Sequence, residues 1–90
     1  MTIFKAALLK VLNRDTAVVW IDSKHHGDEE YIRNTHLFYK KLFDKAEVVI
    51  MVLDEKQHPV YFGKREIIAE LKKIVWKKLN WQEFSLQTNK

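Results

Sequence analysis

Two short runs constrain this chain more than any other feature: Thr16–Asp22 (Thr-Ala-Val-Val-Trp-Ile-Asp) and Glu47–Leu53 (Glu-Val-Val-Ile-Met-Val-Leu). Both are rich in β-branched residues and apolar without alternation. Such runs fit strands covered on both faces rather than strands with one wet side. Between them lies a polar loop with Gly27, followed by Tyr31, Ile32, Thr35, Phe38, Tyr39, Leu42 and Phe43 at helical spacing. Asp28 suits the N-cap of that helix, and Glu29 and Glu30 suit the positive end of its dipole. Two strands joined by a full helix are expected to pair in parallel with a right-handed crossover.

The remaining elements are read around this unit. Phe4, Leu8, Val11 and Leu12 fall at helical spacing in residues 2–13, with Thr2 as a cap. They predict a mostly buried N-terminal helix. Asp54–His58 reads as a turn and Pro59–Phe62 as a short third strand, its proline suited to an edge or a first position. The short connection favours an antiparallel hairpin. Ile67, Ile68, Leu71, Ile74, Val75 and Leu79 share one face of a predicted helix over residues 64–79. Trp81, Phe84 and Leu86 are expected to fold a tail of residues 81–90 back onto the body, with its last polar residues frayed. The predicted fold is α/β, in the order α-β-α-β-β-α: one domain over residues 1–90, with a small three-stranded mixed sheet and helices packed on it. The open edge of such a sheet is a natural dimer site.

The strand, turn, proline-led strand, glycine and amphipathic helix from Val48 through Val75 resemble the C-terminal part of thioredoxin-like folds. That family's active-site cysteine has no counterpart here, so its redox activity does not come with the resemblance.

The chain has 90 residues and no cysteine, which excludes disulfides, thiolate nucleophiles and cysteine-based zinc sites. A chain of this length hides only about 60–65% of the surface its unfolded form exposes. Yet 47% of its residues are hydrophobic and three are tryptophan, so sharing a core with a second copy is expected. No run is long enough to span a membrane. Lys5 and Lys10 interrupt the apolar N-terminus, which removes the signal-peptide reading and makes a cytoplasmic protein the expectation. Two glycines and one proline imply few, short loops, and the wealth of isoleucine, valine, lysine and glutamate leans toward a thermophilic source.

Two groups of residues have chemistry to offer. Between Lys64 and Lys78 stand six cations (Lys64, Arg65, Lys72, Lys73, Lys77, Lys78) and two acids (Glu66, Glu70). The rest of the chain is balanced, so the whole formal charge of +4 sits on this stretch. Trp76 lies among the lysines. A one-sided basic helix with an aromatic can contact nucleic acid or an acidic partner. A solvated helix face is the plainer alternative.

The second group is the loop after the first buried strand, where Asp22, His25, His26 and Glu29 stand at the carboxyl end of a parallel strand. Glu55 and His58 in the hairpin turn are its only available reinforcements. These residue types could serve a small metal-dependent or hydrolytic enzyme. Adjacent histidines point in different directions, however, and no metal-binding motif is present, so no metal and no cofactor is assigned. His36 and His58 read as surface histidines. The core is expected to hold Trp20, Phe38, Tyr39, Phe43, Tyr61 and Phe62. Together these readings favour a noncatalytic, homo-oligomeric interaction domain.

Overall fold

The computed structural model describes residues 2–86. The strands are β1 (Thr2–Val11), β2 (Arg14–Ile21), β3 (Glu47–Leu53), β4 (Pro59–Phe62) and β5 (Trp81–Leu86); the α-helices are α1 (Glu29–Leu42) and α2 (Arg65–Leu71). They form one five-stranded mixed sheet in the order β4-β3-β2-β1-β5. The expected three-stranded sheet is therefore wrong, because segments at both ends of the chain are strands.

The two apolar runs are neighbouring strands, and β2 and β3 pair in parallel with Ala17 opposite Val48 and Ile21 opposite Val52. Nearly every residue of β3 is buried. Asp28 caps α1 by accepting a hydrogen bond from the Tyr31 N–H at 3.1 Å. β4 returns antiparallel beside β3, with Pro59 opening the strand at the sheet edge.

The expected N-terminal helix is strand β1, an interior strand of the sheet between β2 and the edge strand β5. Ala6 and Ala7 are adjacent, yet both are sealed from solvent, because each face of the sheet is covered at this point. A strand buried on both faces loses its alternation, and its apolar residues can then mimic a helical stripe. Leu12 and Asn13 form the hairpin turn, with φ of 52° and 66°. Two successive positive φ values mark the two-residue primed turn that matches strand twist. Asparagine is at home there; leucine disguises it.

The predicted helix over residues 64–79 is also too long. α2 ends at Leu71, and the chain turns through Lys73 and Ile74 before a single 3₁₀ turn at Trp76–Lys78. Helices in proteins persist where packing rewards them. Ile67 and Leu71 fill the core, whereas Ile74 and Val75 are 39% and 58% exposed, so a further helical turn would bury little. The predicted tail is β5, antiparallel to β1, with Phe84 opposite Phe4. The expected fraying falls on residues 87–90, outside the described residues.

Register divides the side chains between two faces. On one, α1 packs over Phe4, Ala6, Val19, Val48, Ile50 and Val52. On the other, α2 and the 3₁₀ turn cover Val11, Val18, Val49, Met51 and Leu53. No helix among the described residues is long and apolar enough to cross a membrane.

Candidate nucleic-acid interface

The second face carries all three tryptophans of the chain in one cluster. Trp20 in β2 lies opposite Lys5 in β1, which in turn lies opposite Glu83 in β5. Trp81 starts β5 opposite Ala7, whose small side chain leaves room for the indole to lean toward Trp20. Trp76 arrives from the 3₁₀ turn. The Trp20 ring centroid is 5.2 Å from those of both Trp76 and Trp81, at interplanar angles of 74° and 55°. The Trp81 indole N–H donates to the Trp76 carbonyl at 2.9 Å and so fixes the turn to the strand. Each of the three residues remains partly exposed.

Cations stand over these rings. The Lys5 ammonium is 5.0 Å from the Trp20 centroid, and that of Lys77 is 5.8 Å from the Trp76 centroid. At exposed sites such contacts contribute about 0.5–1 kcal/mol each. Lys72 and Lys73 border a cleft of about 380 Å³ that runs from Trp76 to Tyr61 and Pro59. Lys78 is exposed on the 3₁₀ turn. Tyr61 also faces this region; its hydroxyl is buried without a partner among the described residues, and burial pushes its pKa up, so it stays protonated.

The predicted basic set is thus split. Trp76 and Lys77 join the tryptophan cluster, Lys78 follows on the same turn, Lys72 and Lys73 line the cleft beside Trp76, and Lys73 makes an ion pair of 3.2 Å with Glu70. Lys64 and Arg65 stand at the far end of α2, about 10 Å away by helix length. Lys64 there shares Glu47 with Arg14, at 3.5 and 3.6 Å. Nothing in the sequence marks Lys5 as a member of this site, because only a strand register sets it opposite Trp20. Trp20, expected in the core, is a half-exposed member of the cluster.

The histidine loop does not converge. Asp22 caps a 3₁₀ turn at Ser23–His25 by accepting from the Lys24 N–H at 2.9 Å. His25 stacks on Tyr31 at 3.5 Å and lines a cleft with Asp22 and Lys5. His26 and Glu29 line a different cleft, against β4. His58 lies 4.0 Å from the Asp54 carboxylate in the hairpin turn. Among the described residues, no three histidine or carboxylate side chains come together as a metal site.

Other expectations also change. His36 is half-buried: its Nε2–H donates to the Val48 carbonyl at 2.9 Å, and its ring meets Phe62 edge-on at 5.2 Å. Of the aromatics expected in the core, Tyr39 is buried, Phe43 and Tyr61 are half-buried, and Phe38 and Phe62 are exposed. Comparison of the chain with protein-family models, curated proteins and solved structures finds no match.

Proposed function

We propose that this chain is a noncatalytic interaction domain that self-associates and binds single-stranded nucleic acid through its tryptophan–lysine face. One observation carries the reading: three partly exposed tryptophans converge on one face with lysines over and beside their rings. Single strands are held where aromatic side chains offer stacking surface and neighbouring cations meet the phosphates. Lysine suits this task, because it neutralises phosphate without reading bases. Duplex reading is less well served: α2 spans seven residues and carries one arginine. Glu83, opposite Lys5, opposes a phosphate on that flank and directs the strand toward Lys72, Lys77 and Lys78. A cytoplasmic location belongs to the same proposal, since nucleic acid is met there.

The test is a fluorescence titration with a short oligothymidylate at low salt. Stacking on the indoles should quench emission, and affinity should fall with salt at a log–log slope of about −2 to −3, as three or four neutralised phosphates on a single strand require. Lys77→Ala with Lys78→Ala should flatten that slope while leaving the fold intact. Absence of quenching and of binding at low ionic strength overturns the proposal.

A further inference from the structure

α1 carries more apolar surface than the sheet beneath it uses. Ile32 and Tyr39 are its buried side. Tyr31, Phe38 and Leu42 follow at intervals of seven and four, which puts them within about 40° of one another around the helix. They are 39%, 49% and 41% exposed. At its start Tyr31 stacks on His25 and lines a cleft with Phe4 and Lys5 of β1 and Glu83 of β5, so the stripe lies on the β1–β5 side of the helix. The helix packs mainly on β3 and β4 and reaches β1 at Phe4, whose ring centroid is 4.8 Å from that of Tyr39. Toward β1 and β5 the same face presents Leu8, which is 49% exposed, and the half-buried Phe84 and Leu86. A sheet face and a helix stripe that border a shared trough lack one layer of packing.

We propose that a second copy of this chain fills that trough, with α1 packed antiparallel against α1 of its partner across a two-fold axis. The inference rests on the self-association proposed above and adds the surface that performs it. Two features favour a second copy over a foreign helix. First, the helix is complementary to its own reverse: Glu30 in its first turn and Lys41 in its last border the stripe on the same flank, about 90° around the helix from it, whereas Glu29 and Lys40 lie on the far side. A two-fold axis through the middle of the stripe brings each acidic end to the partner's basic end. Second, most of the surplus positive charge is carried by residues 65–78, whose apolar side chains pack on the opposite face of the sheet, while Lys64 sits at the end of the sheet beside α1. Two copies can therefore meet through α1 without opposing their basic faces.

Sedimentation equilibrium from micromolar to millimolar protein tests this, with circular dichroism to verify the fold of each variant. The wild-type chain should show a monomer–dimer equilibrium. Phe38→Glu, at the centre of the stripe, should weaken it by more than about tenfold, or 1.4 kcal/mol. Leu37→Glu should leave it unchanged: this residue is 51% exposed but turned about 100° away around the helix. Glu30→Lys should weaken the dimer, and adding Lys41→Glu should restore it. A wild-type chain that stays monomeric overturns self-association together with its interface. A dimer that survives Phe38→Glu, or that Leu37→Glu disrupts equally, overturns the α1 interface alone.

Discussion

Leu71 and Ile74 are three residues apart and share one apolar face of any helix that runs through both. In this fold they have different fates, and their truncation separates a helix that stops at residue 71 from one that continues. Leu71 is sealed from solvent among Val11, Val18, Val49, Met51 and Ile67. Leu71→Ala removes a fully buried isobutyl group and leaves a cavity in a sheet-backed core that has little room to collapse, a loss of about 3–4 kcal/mol. Ile74 lies past the end of α2 and is 39% exposed. Ile74→Ala should cost about 1 kcal/mol, since much of its side chain already meets water. Urea unfolding followed by tryptophan emission measures both. With m near 1 kcal/mol per molar, the Leu71 variant should lose roughly 3 M in midpoint and the Ile74 variant about 1 M, at unchanged m. If the first variant fails to fold, Leu71→Val keeps the comparison, with an expected loss of about 1–1.5 kcal/mol against a smaller one for Ile74→Val. Equal losses at the two positions, or a greater one at Ile74, would refute both the early end of α2 and the placement of the basic turn beside Trp20.

Two further outcomes test the turns. Leu12 holds φ at 52° while 52% exposed, so Leu12→Asn should relieve strain at little cost in burial; a gain of about 0.5–1 kcal/mol, read as a melting temperature several degrees higher, is expected. The Asp54 carboxylate accepts the N–H groups of His58 and Lys56, both at 2.9 Å, and the His58 bond above all holds its pKa below the ordinary range. A carboxyl whose pKa is lowered by folding adds stability above the unfolded value of about 4 and loses it as pH falls through the lowered one. Melts in mild acid should therefore be less pH-sensitive for Asp54→Ala than for the wild-type chain, and identical slopes would remove the turn from the acid response.

The centre of the fold was legible because it obeys simple rules. β2 and β3 are continuous apolar runs, the connection between them is long enough for a helix, and Asp28 stands where a cap is needed. The ends were not legible, for physical reasons. β1 is buried on both faces around Ala6 and Ala7, so its pattern carries no period of two, and its diagnostic turn begins with leucine. β5 has only six residues, and its partner β1 itself carries apolar residues at helical spacing. The helix face of Ile67 and Leu71 runs on in sequence through Ile74 and Val75, and what the sequence does not display is that these two remain exposed while Trp76 packs against Trp20. The lysines of the candidate site could be counted from sequence, whereas their division into two groups could not. Lys5 and Trp20 became visible as members of one site only through the β1–β2 register.

That register gives the molecule its division of labour. A sheet this small, with its central strands apolar on both faces, needs a layer on each side. α1 is a fourteen-residue helix, amphipathic and balanced in charge at its two ends. The layer on the other side is a seven-residue helix and a 3₁₀ turn, too short to cover the sheet with aliphatic side chains alone. Three indoles complete it, each spanning from the core to the surface, as an aromatic with a polar edge can. The lysines around them are exposed, and two of them, Lys5 and Lys77, stand over the rings. The covering of the second face and its proposed attraction for a phosphate chain thus have one physical origin. The same shortage of covering elements leaves the first face open beside α1, where aliphatic and phenyl groups bordered by acids at one end of the helix and lysines at the other favour a second copy over a polyanion. Two copies joined there would present two tryptophan–lysine faces outward. A strand long enough to reach both would be held by the product of two weak contacts rather than by one strong one.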